Sequence, residues 1–139
     1  PLLAGIIFLP FFVKSKWLVL GIPLSTLFIS DLLLGLHDHM VWTYGSLLLI
    51  SLGTLHYFKE MFSRLILLAI SAPTLFFVIT NLGVWLNSGM YTKDLPGVTE
   101  CFVLALPFYA NNLISTIIFV MAFYFIKRLS SNQINLIYR

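Results

Sequence analysis

Asp31 occupies the most costly position in this chain. It lies inside an apolar run, Trp17 to Leu36, about one and a half turns before the end of that run at 1.5 Å per residue. A carboxylate in such a setting is stable when it faces a bundle interior or a cavity and has a partner. Two roles fit. One is contact with a ligand or ion in an outward-facing cavity. The other is a structural hydrogen bond to a neighbouring helix, through Ser30 or an Asn. Just beyond the run comes His37-Asp38-His39. Two imidazoles and a carboxylate could bind zinc, but a closed site needs four ligands. No other His or Cys lies nearby in sequence, and His56 falls at the opposite end of the next apolar run. The turn therefore reads as a polar cap for the following helix, with Asp38 or His39 as capping residue, and His37 as a residue that contacts or gates a ligand.

Three further groups carry polar chemistry. Asn81 and Trp85 are four apart and share a helix face, with Asn87 and Tyr91 just beyond. An amide beside an indole can hold a flat polar ligand. An interfacial aromatic belt would account for Trp85 and Tyr91 but not for the deeper Asn81. Asn111-Asn112 follow Pro107 in the last apolar run. Proline frees backbone groups, and Asn amides can satisfy them, either to line a cavity at a broken helix or simply to let the helix bend. Cys101 is a lone thiol, more in keeping with a small apolar residue than a metal ligand. Gly21 and Ser25 have the small-xxx-small spacing of close helix contacts. There is no phosphate-binding Gly-rich loop, no HExxH and no Ser/His/Asp set in motif context. No catalytic residue, metal site or cofactor is assigned, and an enzyme is not expected. His37 and His56 lie at opposite ends of one short helix, too far apart to share a haem.

The elements that position these residues follow from composition. The chain is 60% hydrophobic and 9% charged, with a mean hydropathy of +0.99; a soluble domain carries about 25% charged residues. Such a chain cannot cover a water-facing surface, so its solvent is lipid. The net charge of +3 does not imply nucleic acid, because the basic residues sit at the ends of apolar runs, where anionic headgroups account for them. A core of about 30 Å needs about 20 helical residues. The runs are Leu2–Val13 (short), Trp17–Leu36, Trp42–Tyr57, Leu65–Leu86 and Thr99–Ile126. The last is longer than needed, and reads as one kinked helix or as an outer half-helix followed by a span from about Leu113. Lys14 and Lys16, then Lys59 and Arg64, then Lys127 and Arg128 mark every second break. Short cytoplasmic loops are rich in Lys and Arg, so these breaks face inward, and the His37–His39 turn and the Asn87–Glu100 loop face outward. The expected architecture is an all-α, polytopic transmembrane bundle. It has about five spans over 1–129, six if one more helix precedes Pro1, and a polar cytoplasmic tail over 130–139. The chain begins with Pro1 inside an apolar run and reads as a fragment.

Certain strings carry a family resemblance: SDLLLG at Ser30–Gly35, TNLGVWL at Thr80–Leu86 with Gly89-Met90-Tyr91, and ALPF at Ala105–Phe108 with Asn111-Asn112. In order and spacing the chain resembles DUF6580, a family of bacterial integral membrane proteins, over essentially its whole length. That family has a further N-terminal stretch, with an Asn-Phe-Thr/Ser-Pro-like motif ending about where Pro1 stands. The resemblance implies the bacterial inner membrane and an optional part in cobalamin uptake. It also implies similarity to the six-helix S-components of energy-coupling-factor transporters, which bind a vitamin near the outer face. Asp31, His37, Asn81, Trp85, Asn111 and Asn112 would then contact a vitamin-like solute. S-components dock on their transmembrane partner through small residues four apart on the first helix. Here Ala4 is followed by Phe8 and Gly5 by Leu9, which departs from that pattern. The competing reading is a structural or accessory subunit among other membrane chains, with polar residues contacting neighbouring chains or lipids. A membrane enzyme acting on lipid has the least support, since Asp31 and the His37/His39 turn would have to converge.

Overall fold

Five helices follow the apolar runs in order: α1 (Leu2–Phe12), α2 (Lys16–Leu34), α3 (Met40–Tyr57), α4 (Phe62–Asn87) and α5 (Leu95–Ile137). The structure, a computed structural model, describes residues 1–36, 38–57 and 62–137; there is no strand among them. His37, Lys59 and Glu60 lie outside the described residues. Ser15, in extended conformation, leads into α2. Gly35 ends it at φ 111°, a backbone setting suited to glycine, with its N–H on the Asp31 carbonyl at 2.8 Å. Pro10, Pro23, Pro73 and Pro107 all sit inside helices without ending them.

One expectation about the last run is resolved: α5 is unbroken across Pro107 and Asn111-Asn112, so the outer half-helix does not occur, and the helix runs on to Ile137. Three helices are long and apolar enough to cross a membrane: α2, α4, and α5 over Leu95–Ser130. The 11 residues of α1 cover about 17 Å at 1.5 Å each.

α1 is apolar around its whole circumference (LLAGIIFLPFF), the pattern of a helix in a protein core or a membrane; Leu2, Gly5 and Phe12 form its one open face. Leu3, Ala4, Ile6, Ile7 and Phe8 are buried, and α1 packs against all four other helices. Phe8 stacks on Phe11 at 4.9 Å and meets Phe123 of α5 at 5.4 Å. α4 packs on α5 and α3, whereas α2 packs on α3 and α1. Beside its hydrophobic core the bundle buries several polar residues and exposes many large apolar ones. Ser46, Ser51, Thr54, Thr116 and Asp31 are buried, while Trp17, Leu33, Leu34, Val41 and Phe108 are exposed. In α3 the small polar residues face inward and Leu48, Leu49 and Leu52 face outward. Small inward residues let helices approach closely, which is how helices associate where burial from water gives no drive. Hydroxyls are satisfied by bonding back one turn: Thr26, Thr74, Thr80, Thr99 and Thr116 each donate to the carbonyl four residues earlier.

The α3–α4 contact is closest where the Trp42 indole lies directly on the Gly83 backbone. A Cβ at residue 83 would collide with the Cγ, Cδ1 and Cδ2 atoms of that ring. Gly83→Ala is therefore expected to destabilise the fold by about 1–3 kcal/mol, the range for overpacking a filled site. Denaturation in detergent micelles would read it, and a Trp42→Ala background should abolish most of the difference. An unchanged midpoint for Gly83→Ala would contradict the contact.

Candidate functional site

The two ends of the bundle differ in charge. At one end Lys127 places its ammonium 3.6 Å from the centre of the Phe11 ring, and Phe62 packs on Tyr124. The exit of α1, the start of α4 and the end of α5 thus meet beside Lys14, Lys16, Arg64 and Arg128. At the other end, the Trp42–Gly83 contact brings the start of α3 to the end of α4. Asp31, Asp38, Asp94 and Glu100 belong to this end, with Lys93 as its basic residue.

Asp31 is the main feature of the acidic end. It is 7% exposed, and its Oδ2 accepts a hydrogen bond from the Tyr44 hydroxyl at 2.6 Å. This partner, a phenol on the next helix across the α2–α3 turn, was not among those anticipated. Hydrogen bonds to a charged acceptor are short and about twice as strong as neutral ones. The same turn is organised by the His39 carbonyl, which accepts from the Trp42 and Thr43 N–H groups and from the Thr43 hydroxyl. His39 begins α3 in this way, and its Nδ1 is buried without a hydrogen-bond partner among the described residues. Among those residues no group of three His, Cys, Asp or Glu side chains could hold a metal.

Asn81 and Trp85 sit on the far side, at the α4–α5 contact. The Asn81 amide donates to the Phe77 carbonyl at 2.7 Å, and the Asn81 carbonyl accepts from the Cys101 thiol at 3.5 Å. Phe77 packs on Phe102 and Tyr109, and the Tyr109 hydroxyl reaches Thr74 Oγ1 at 2.9 Å. A ladder of aromatic and small polar contacts thus joins α4 to α5. The Trp85 indole N–H donates to the Thr92 carbonyl at 2.9 Å, and Lys93 reaches back to the Trp85 carbonyl with its ammonium over the indole. Trp85 therefore clamps the α4–α5 loop. Asn111 is exposed, Asn112 is half-buried, and neither amide makes a hydrogen bond among the described residues; the Asn112 carbonyl takes the Thr116 hydroxyl.

The structure joins Asn81 to Cys101 and Trp85 to Thr92, on α4 and its neighbours. Asp31 pairs with Tyr44 on the α2–α3 side, and α2 makes no contact with α4 or α5 among the described residues. His37 falls outside the described residues. A recess lies elsewhere: an apolar groove of about 570 Å³ between α3 and α4, lined by residues such as Ile50, Thr54, Tyr57, Leu68, Ser71 and Leu75. Sequence reasoning missed it. Gly53, Ser71 and Ala72, small residues that face one another across two apolar runs, were its only signal.

At the start of α5, Asp94 is the capping residue. Its Oδ1 accepts from the Thr92 hydroxyl at 2.5 Å and from the Gly97 N–H at 2.9 Å, with Pro96 just inside the helix. The Thr92 hydroxyl first, and then the Gly97 amide, hold the Asp94 carboxyl below its ordinary value. A Cβ at Gly97 would strike the Thr92 carbonyl, so the tight loop requires glycine there.

A protein-family model matches residues 1–136, and its description is a family of unknown function, DUF6580. The chain belongs to that family. No curated protein and no solved structure matches it.

Two outcomes follow from this geometry. Because the folded pKa of Asp94 is depressed, its contribution is present above the usual carboxylate pKa and lost as pH falls through the lowered value. Hydrogen-exchange protection at the Gly97 amide should fall over that window; Asp94→Asn should keep the cap but flatten the pH dependence, and a wild-type profile for Asp94→Asn would refute the assignment. Tyr44→Phe should cost about 1–3 kcal/mol, because it removes a donor from a buried carboxylate. That loss should shrink in an Asp31→Asn background when both are measured by detergent-micelle denaturation.

Proposed function

We propose that this DUF6580 member is a small integral membrane protein of the bacterial inner membrane, with α2 to α5 crossing the bilayer, α1 packed among them within it, and the C-terminus cytoplasmic. In this reading it is an S-component-like subunit that binds a vitamin-like solute at its outer, acidic end. The observation that carries it is Asp31. An ionisable side chain inside a membrane helix is costly, and its default interpretation is a functional site with a named partner. Here the partner is Tyr44, on the end where the sequence gathers Asp38, His39, Asp94 and Glu100. A hydroxyl that already donates to the carboxylate can exchange that bond for a solute donor without leaving the charge exposed to lipid. Segregation of Lys and Arg to the opposite end supports the orientation.

A second reading is favoured by a different observation. The Asn81 amide and the Trp85 indole already have hydrogen-bond partners within the chain, and large side chains such as Leu33 and Phe108 stand outward. An accessory subunit surrounded by other membrane chains would look like this. Native mass spectrometry of gently extracted protein separates the two: a retained small molecule on a chain free of companions supports solute binding, and stoichiometric companion chains without ligand support the accessory role. Asp31→Ala is then expected to abolish ligand retention while the helical signal and elution volume stay unchanged. Undiminished retention by a folded Asp31→Ala protein would overturn the residue assignment.

A further inference from the structure

The groove between α3 and α4 lies apart from Asp31 and points to a different ligand. On α4 its lining runs from Leu67 to Val78, and on α3 from Leu49 to Tyr57. Eleven steps of 1.5 Å make the α4 wall about 17 Å long. That is close to half of a hydrocarbon core of about 30 Å. The groove therefore begins at the basic end and stops near the bilayer midplane. A helix from a partner chain would need a track of the full thickness. An acyl chain of one leaflet needs only this depth.

The lining fits such a guest. Its walls are aliphatic, with Thr54, Ser71 and Thr74 as small polar interruptions. The Thr74 hydroxyl is already bonded to Ile70 and Tyr109. The volume of about 570 Å³ falls within the roughly 300–1,000 Å³ of small-molecule sites. At the mouth stands Tyr57, 52% exposed. Arg64 lies three and four residues before Leu67 and Leu68, on the same helix face as both. It is half-buried and makes no ion pair among the described residues. A guanidinium at headgroup depth presents a planar fork of donors that matches phosphate oxygens.

We infer that the α3–α4 groove holds one acyl chain of an anionic phospholipid from the basic-end leaflet, with its phosphate on Arg64 and its glycerol beside Tyr57. The inference rests on the chain lying in a membrane but not on the solute site at the other end. An acidic headgroup is selected over a zwitterionic one because Arg64 brings a positive charge to headgroup depth beside the groove.

The test is native mass spectrometry of the full chain in mild detergent, supplied in turn with phosphatidylglycerol and phosphatidylcholine of matched acyl length. Prior recovery of the protein in the membrane fraction separates failure of the membrane reading from failure of the lipid site. Wild-type protein should retain one phosphatidylglycerol in preference to phosphatidylcholine. Arg64→Gln should reduce that preference by about fivefold, the factor one basic residue contributes near an anionic surface. Leu75→Trp, which fills the groove from an exposed position, should reduce retention of both lipids while leaving the helical signal unchanged. Equal retention of the two lipids by wild-type protein would overturn the proposal. So would an unchanged preference in Arg64→Gln, full retention by Leu75→Trp, or a companion chain in place of lipid.

Discussion

The fold depends on a helix with no polar face. α1 has no side suited to water; all four other helices pack on it, and only the Leu2, Gly5, Phe12 face is left open. Phe8, Ile6 and Ile7 are almost wholly enclosed. The other helices carry polar residues as well. They place small polar residues inward beside aliphatic ones such as Leu47, Ile50 and Leu65, and leave other aliphatic side chains outward. Ser46, Ser51 and Thr54 on α3 and Thr116 on α5 lie inside in this way. Asp31 does so with a phenol across the turn.

The positions of the helices were legible in the sequence because charges, glycines and turn residues interrupt the apolar runs at nearly every boundary. Two contacts gather residues from separate breaks. Lys127 comes to Phe11 and Phe62 to Tyr124, so residues distant in sequence but alike in charge environment share one end. What could not be read was rotation about each helix axis. An all-apolar helix has no preferred face, so nothing in LLAGIIFLPFF marks α1 as the centre. The partner of Asp31 was hidden for a related reason. Tyr44 reads as an interfacial aromatic, and its approach to Asp31 depends on how α2 and α3 turn towards each other after Gly35.

Proline was the other source of ambiguity. Pro107 with Asn111-Asn112 allowed either a bent helix or a broken one, and α5 is unbroken. The prediction that Asn81 and Trp85 share a face was sound, but the face is directed at α5 and its own loop. Trp85 meets Thr92 and Lys93, residues in a stretch where helical periodicity carries no information. The loop is short, held by Gly89 at φ 67° and by the Asp94 cap, so it fixes how α4 and α5 diverge from the acidic end.

The pairing of Phe8 with Phe123, and of Phe11 with Lys127, also bears on biogenesis. The helix at the centre of the bundle is the first of the five to leave the ribosome, and the one that closes over it is the last. Contacts this distant along the chain are slow to form. Until α5 emerges, one flank of α1 can be covered only by lipid or by the insertion machinery. The bundle therefore has no earlier stopping point with a complete interior, and loss of the last helix would be felt first at the opposite end of the polypeptide.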